Sequence, residues 1–341
     1  MRWLITGGCG FIGSHLVRRA VRDGHDVLNV DCLTYAGRPE SVADVADEPN
    51  YAFAKIDLVD APEVDAAVAD FRPDAVLHLA AESHVDRSIE DPTRFLRTNV
   101  LGTDHLLRAA LNLYRTTPRR GPGGDEAFRF VHVSTDEVYG TLGCDGVFTE
   151  STPYAPRSPY SASKAAADHL VAAYHATYGL PTVVTHGSNA FGPNQYPEKL
   201  IPVVIDRRLT GRDVPVFGDG TQVREWTAVS DHVEGILAAL RHGRPGETYN
   251  LGGGTERTNI DLVRRICHHL DTLRPRDDGR PHADAIRHVT DRPGHDFRYA
   301  MSGEKAAEEL GWRPRADFDA SLADTVRWYV ENPRSLVPEG G

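Results

Sequence analysis

The stretch TGGCGFIGSHL, Thr6 to Leu16, constrains the fold more than any other part of the chain. A short apolar run, RWLIT, precedes it, and an amphipathic run, SHLVRRAVRDG, follows it and stops at Gly24. Gly7, Gly10 and Gly13 stand between the two, three residues apart. Strand, glycine turn and helix in that order predict a β-α unit whose turn accepts a pyrophosphate. Glycine permits the tight turn, lets backbone approach the phosphates, and lets the helix pack closely on the strand. The free N–H groups and dipole at the helix N-terminus favour the anion. The second strand, DVLNVD, closes on Asp31, where a carboxylate suits adenosine ribose hydroxyls. An arginine there would suit a 2′-phosphate, so the expected cofactor is NAD and not NADP. Asp57, after the third strand, either reaches the adenine amino group or caps the strand end.

The pattern continues. YAFAKID, AVLHLAA, FRFVHVS and PTVVTHG read as further strands, with helical runs APEVDAAVADF, TNVLGTDHLLRAALNLY and SASKAAADHLVAAYHATYG between most of them. Buried strands alternating with helices predict a doubly wound parallel α/β sheet, a Rossmann fold. After about residue 185 Pro and Gly cluster and the alternation loosens, which predicts a smaller, discontinuous C-terminal lobe. We expect a dinucleotide-binding domain over 1–185 plus about 227–250, and a substrate lobe over about 186–226 plus 251–330. RTTPRRGPGGDEA, Arg115 to Ala127, reads as a mobile surface loop.

A formal charge of -11 argues against nucleic acid as a partner, since phosphate backbones need clustered Lys and Arg. No apolar run reaches the roughly 18 residues that span a bilayer. Met1 leads straight into a strand pattern, so no signal peptide is expected. Cys9, Cys32, Cys144 and Cys267 lie far apart, without metal spacing, which fits a reduced, cytoplasmic protein.

Two further motifs carry chemistry. In SPYSASKAAADHL, Tyr160 and Lys164 stand at i and i+4 and leave one helix face. A nearby ammonium, helped by a positive nicotinamide, lowers a tyrosine from about 10 and makes it usable as a base. In HVSTDEVYG, Ser134 or Thr135 can hydrogen-bond a reacting oxygen, and Asp136 and Glu137 follow directly. Adjacent carboxyls push one acidity apart from the other, as an acid–base pair requires. The plainer alternative has Asp136 capping the next turn and Glu137 solvated.

These motifs together resemble the extended short-chain dehydrogenase/reductases. Within them DCLTYAG, LAAESHVDRSI, TNVLGT, STDEVYG, YAPRSPYSASK, YPEKLIP, VREW, YNLGGG and DRPGHDFRYA are similar to the dTDP-glucose 4,6-dehydratase family, in order from Met1 to about Ala300. The resemblance implies NAD held by Gly7, Gly10, Phe11, Ile12, Gly13, Asp31, Leu33, Thr34, Asp57, Leu58, Ala80, Ala81, Ser83, Asn99 and Ser134, with Tyr160 and Lys164. It implies a three-stage reaction. Tyr160 takes the 4-hydroxyl proton as hydride leaves C4, with Lys164 supporting it and Thr135 holding the C4 oxygen. Glu137 then removes the C5 proton while Asp136 protonates the departing 6-hydroxyl, and hydride returns to C6. A nucleotide sugar, dTDP-glucose by preference, is expected to lie against Ser83, His84, Arg87, Asn189, Glu198, Lys199, Leu200, Arg224, Asn259, Arg292, His295 and Tyr299. Family members imply a homodimer, built on the helices after Thr98 and Ser161. The chain departs from the family pattern at His186-Gly187, Ala190-Phe191 and Thr227-Ala228-Val229-Ser230. A 4-epimerase or uronate decarboxylase keeps Tyr160 and NAD without needing both carboxylates, and a non-catalytic NAD-binding regulator needs neither.

Overall fold

The structure, a computed structural model, describes residues 1–117, 128–291 and 295–336. Beyond its first three residues, the predicted loop Arg115–Ala127 lies outside the described residues, as does Arg292.

Alternation within the strands decides the layering. In β1 (Arg2–Thr6) Trp3 and Ile5 point to one face and Leu4 to the other, and each joins a different apolar core. The first core receives α1 (Phe11–Arg22), whose buried Leu16, Val17, Ala20 and Val21 recur at helical spacing. β2 (Asp26–Asp31) and β3 (Tyr51–Lys55) follow, then α2 (Ala61–Phe71), N-capped by the Asp60 carboxylate. β4 (Ala75–His78) leads to the short α3 (Val85–Glu90) and α4 (Pro92–Phe95). A π-helical turn over Leu96–Leu101 then feeds α5 (Gly102–Thr116), where the sequence predicts uninterrupted helix from Thr98. β5 (Arg129–Thr135) precedes α6 (Pro159–Tyr178), which opens on a Ser158–Ser161 capping box and ends at left-handed Gly179. The second core lies between the sheet and α2, α5 and α6.

β6 (Thr182–Gly187) completes the run read from the sequence. The chain then leaves the sheet for β7 (Asn189–Phe191), α7 (Leu200–Leu209), β8 (Val214–Phe217) and β9 (Val223–Ala228). It returns through α8 (Val229–His242), which packs in the first core, and β10 (Thr248–Leu251), which pairs parallel with β6. β11 (Thr255–Thr258), α9 (Asn259–Leu273), β12 (Ile286–Val289), α10 (Glu304–Leu310) and α11 (Phe318–Glu331) finish the chain.

The main sheet is parallel throughout, in the order β3-β2-β1-β4-β5-β6-β10. Strand order reverses between β1 and β4, and a crevice opens outside the carboxyl ends of strands at such a switch point. The smaller lobe has its own core, in which Phe191, Trp226, Ile266 and Tyr329 are buried between α7, α9 and α11, with the sheet β11-β9-β7 and the pair β12-β8. Among the described residues no helix is long and apolar enough to cross a membrane.

Candidate active site

A cleft of about 310 Å³ occupies the switch point and runs from the glycine turn to the ends of β5 and β6. Its first half is made of backbone. Gly7 has a φ of +71°, and a Cβ there would lie 2.7 Å from the Ala80 backbone nitrogen. A Cβ on Gly13 would lie 2.1 Å from the Gly7 carbonyl oxygen. Side chains are excluded at both positions, and the cradle fits a diphosphate approaching the start of α1. Phe11, Ile12, Thr34, Asp57, Leu58, Ala80, Ala81 and Ser83 line the same cleft.

Asp31 stands in this wall, but its carboxylate already accepts hydrogen bonds from the backbone of Cys9 at 3.0 Å and Leu33 at 2.8 Å. Burial raises its pKa above the ordinary carboxylate value, making it a weaker acid, with the two amides opposing the shift. Asp57 both faces the cleft and caps its own turn through the Val59 amide at 3.0 Å. Leu33 lies outside the cleft wall, in left-handed backbone with φ 53°. Asn99 also stands behind the wall. Its Oδ1 accepts from the Glu82 amide, and its Nδ2 donates to Ser163 Oγ at 2.9 Å, pinning the loop after β4 to α6.

The other half of the cleft is built from ionisable groups. Ser134, Thr135, Asp136, Glu137, Tyr160 and Lys164 all line it. Thr135 ends β5, and a tight 3-10 turn over Asp136–Tyr139 puts both carboxyls immediately beyond it. The Thr135 hydroxyl donates to Asp136 Oδ1 at 3.2 Å and accepts from the Glu137 amide at 3.3 Å. Asp136 is 3% exposed, and its second oxygen has no partner. Burial first, then the charges of Glu137 and Glu225, push its carboxyl well above the usual range and so favour its protonated form. The larger cause is therefore burial, not the adjacent carboxylate that the sequence points to.

Tyr160 departs from expectation. Burial and the Glu137 charge push its phenol up, with Thr135 opposing, so the bare protein does not supply the lowered tyrosine that the i, i+4 spacing suggests. The Lys164 Nζ donates to the Val133 carbonyl at 2.9 Å and lies 3.3 Å from His132 Nε2. A positive group bound beside Tyr160 is required to bring the phenol down.

The candidate substrate residues divide in two. Asn189 and Lys199 line the cleft, with Asn189 Oδ1 buried and unpartnered, while Lys199 donates to the Ser83 carbonyl at 2.8 Å. Glu198 accepts from the Tyr35 hydroxyl at 3.0 Å, with Arg87 3.7 Å and His84 3.9 Å from its other oxygen. Glu198, His84 and Arg87 stand outside the cleft wall, and so do Arg224, Tyr299, His295, Asn259 and Leu200. Arg224 is buried, donating to the carbonyls of Val223 at 2.7 Å and Asp296 at 3.0 Å while lying 4.4 Å over the Tyr299 ring. His295 pairs with Asp291 at 2.7 Å, Asn259 begins α9, and Leu200 begins α7 against the second-lobe core.

The departures from the family pattern have local explanations. Gly187 leaves room for the His232 ring, whose Cε1 would lie 2.2 Å from a Cβ at that position. Phe191 packs edge-on against Trp226 and Phe318 at 6.2 and 5.3 Å, and Thr227 hydrogen-bonds Ser188 at 2.6 Å. The sequence reading missed Gln195, Tyr196 and His232 in the cleft wall, which no local motif marks. It also missed Gly8, where a Cβ would meet Asn29 Oδ1 at 2.2 Å.

A doubly wound parallel sheet, with a Tyr–Lys pair on the helix before its sixth strand and both facing the switch-point cleft, defines the extended short-chain dehydrogenase/reductase class. Within that class the chain belongs to the family described as GDP-mannose 4,6 dehydratase, which it matches over residues 4–325. A dTDP-glucose 4,6-dehydratase from Xanthomonas campestris pv. campestris (strain B100) is 54% identical over 332 residues, covering 97% of this chain and 93% of the relative. A solved dTDP-glucose 4,6-dehydratase from Streptomyces venezuelae, a double mutant with NAD bound, superposes with a TM-score of 0.88 at 43% identity, covering 98% of both chains. A UDP-glucose 4-epimerase from Thermotoga maritima, solved with UDP-glucose, reaches 0.84 at 28% identity, covering 98% of this chain and all of its own.

Proposed function

We propose that this protein binds NAD in the cleft and converts dTDP-glucose to dTDP-4-keto-6-deoxyglucose. The observation that carries the reading is the placement of the carboxyl pair: Asp136 buried, which favours its protonated form, with Glu137 next to it, at the end of the strand that presents Thr135. Simple alcohol oxidation or 4-epimerisation needs Tyr160 alone; a proton donor placed beside a second carboxyl serves elimination. The 54% identity to a dTDP-glucose 4,6-dehydratase supports the same reading, against 28% to the 4-epimerase.

The glycine turn and Asp31 would hold the dinucleotide, with its nicotinamide toward Tyr160. NAD bound there would supply the redox chemistry, as acceptor for the C4 hydride and donor of it to C6. Thr135 holds the C4 oxygen, and Tyr160 takes its proton. Once C4 is a ketone the C5 proton is acidic; Glu137 removes it, and Asp136 gives its proton to the leaving 6-hydroxyl. Glu137 then returns a proton to C5. Asn189, Lys199 and the Glu198 cluster lie where the nucleotide diphosphate would enter. In this reading the lobe over about 186–226 plus 251–330 binds the nucleotide sugar, and the rest binds NAD. In this reading the protein acts as a cytoplasmic homodimer through α5 and α6.

The test is a product assay by mass spectrometry on purified protein given dTDP-glucose, UDP-glucose, UDP-glucuronate or UDP-N-acetylglucosamine, with no NAD added. Loss of one water from dTDP-glucose is the expected result. An isomer of unchanged mass, loss of carbon dioxide, or turnover of a UDP sugar alone overturns the proposal.

A further inference from the structure

Tyr160, Lys164 and Asp168 stand four residues apart on α6, so all three leave one helix face. The first two face the cleft, and the third is used by no step above. Asp168 is 3% exposed, yet it is a carboxylate among charged and polar groups. Its Oδ2 accepts from Ser134 Oγ at 2.9 Å and lies 3.0 Å from His186 Nε2. Its Oδ1 lies 3.2 Å from His132 Nε2, which lies 3.3 Å from Lys164 Nζ. Lys164, His132, Asp168 and His186 therefore form one buried cluster, in which the single His132 Nε2 faces both the ammonium and the carboxylate and can hydrogen-bond only one of them. Beyond it, His186 meets the hydroxyls of Tyr139 at 2.8 Å and Tyr154 at 2.9 Å, and Tyr139 donates to Asn250 at 2.8 Å.

Resting on the function proposed above, we infer that Asp168 is a positioning residue for the reaction, the buried counter-charge that holds Lys164 as an ammonium beside Tyr160 by its field across the His132 ring, not by a hydrogen-bond relay through it. Lone buried carboxylates are costly and persist only when paired. Burial alone would raise Asp168, but the imidazoles of His132 and His186 outweigh it and keep the carboxylate ionised. Burial draws Lys164 down to about 8, and Asp168 is the influence that pulls it back up. The other titratable groups around Lys164 are His132 on β5, His78 on β4 and Tyr160 on α6. Burial lowers both histidines, so neither supplies a competing positive charge at neutral pH. Asp168 acts on Tyr160 directly in the opposite sense, raising it, so the alkaline limb of the rate profile reports this role and the acid limb does not.

The chain has four lysines, Lys55, Lys164, Lys199 and Lys305. In protein labelled with 13C at lysine Cε, the Lys164 resonance is assigned by its loss in Lys164→Met, and its titration is followed by NMR without any substrate. Asp168→Asn is expected to lower the Lys164 midpoint by about 1 unit. It is also expected to move the alkaline limb of dTDP-glucose turnover down equally, and to reduce kcat about tenfold at constant KM. His186→Asn, which touches the same carboxylate on the side away from Lys164, leaves the midpoint in place or raises it. Should Asp168→Asn alone fold poorly, Asp168→Asn/His186→Asn carries the same expectation. A Lys164 midpoint unmoved by loss of the Asp168 charge, or lowered equally by His186→Asn, overturns the inference. Failure of the wild type to dehydrate dTDP-glucose is a separate result that overturns the proposed function, whichever way Lys164 titrates.

Discussion

The two ends of the cleft are made of different materials. At the Gly7–Gly13 end the wall is backbone, and the requirement on the sequence is the absence of side chains where a Cβ would meet the Gly7 carbonyl at 2.1 Å or the Ala80 nitrogen at 2.7 Å. At the Thr135–Lys164 end it is made of ionisable side chains removed from water, where Asp136 is driven up by burial and Lys164 down to about 8. A backbone cradle binds any dinucleotide diphosphate in the same way and commits to no reaction. Buried charges choose the reaction, because their protonation states differ from those of free side chains. A fold alone does not choose a reaction; in this chain the ionisable end of the cleft is the part able to do so.

The largest effect should separate the two ends. Glu137→Gln is expected to slow formation of the dehydrated product by about 100- to 10,000-fold while bound NAD is still reduced by dTDP-glucose. Mass spectrometry reads the product, and near-ultraviolet absorbance reads the reduced cofactor. Loss of both together would show that the carboxylate serves the oxidation step as well. Gly13→Ala attacks the opposite end. The overpacked turn costs about 1–3 kcal/mol, and the purified protein is expected to carry about a tenth or less of the wild-type NAD, with the sites around Tyr160 intact. Cofactor content after denaturation checks this, and an unchanged ratio would break the backbone account.

The smallest effect is on stability. Asp136 is raised in the folded protein. A raised carboxyl contributes stability that is fully present below its unfolded value of about 4 and is lost as pH rises toward the folded value. Asp136→Asn removes that loss, so the variant is expected to be more stable than wild type at pH 8 and little different at pH 3. Urea melts at the two pH values measure the difference. A gain of equal size at both would mean that packing, and not ionisation, is the source.

The first six strands of the main sheet were legible because each is an apolar run bounded by turn residues, and the helices between them hold helical spacing. The glycine cradle was legible for the same reason, being local. Asp168 was not, although the i, i+4, i+8 series from Tyr160 carries it. A lone Asp in the alanine-rich run AAADHL reads as a solvated helix face until His132 and His186 arrive from β5 and β6. The raised Tyr160 was not legible either, since local spacing gives its lysine and not its burial. Arg224 reads from sequence as a diphosphate ligand, yet its guanidinium is engaged by carbonyls of Val223 and Asp296, a contact between segments 73 residues apart at its farthest, with Phe297. Residues that depend on the second lobe's closure onto the first cannot be placed by periodicity, because that closure is tertiary.

In the proposed reaction one active site removes hydride from C4, eliminates water across C5 and C6, and returns the same hydride to C6. Deuterium placed at C4 of dTDP-glucose tests it most directly, with turnover in ordinary water and the product read by NMR and mass spectrometry. The account predicts that the label appears at C6 of the 4-keto-6-deoxy product, within the molecule that carried it. Label found back at C4 of an isomerised sugar, or lost from the product to solvent, would contradict it.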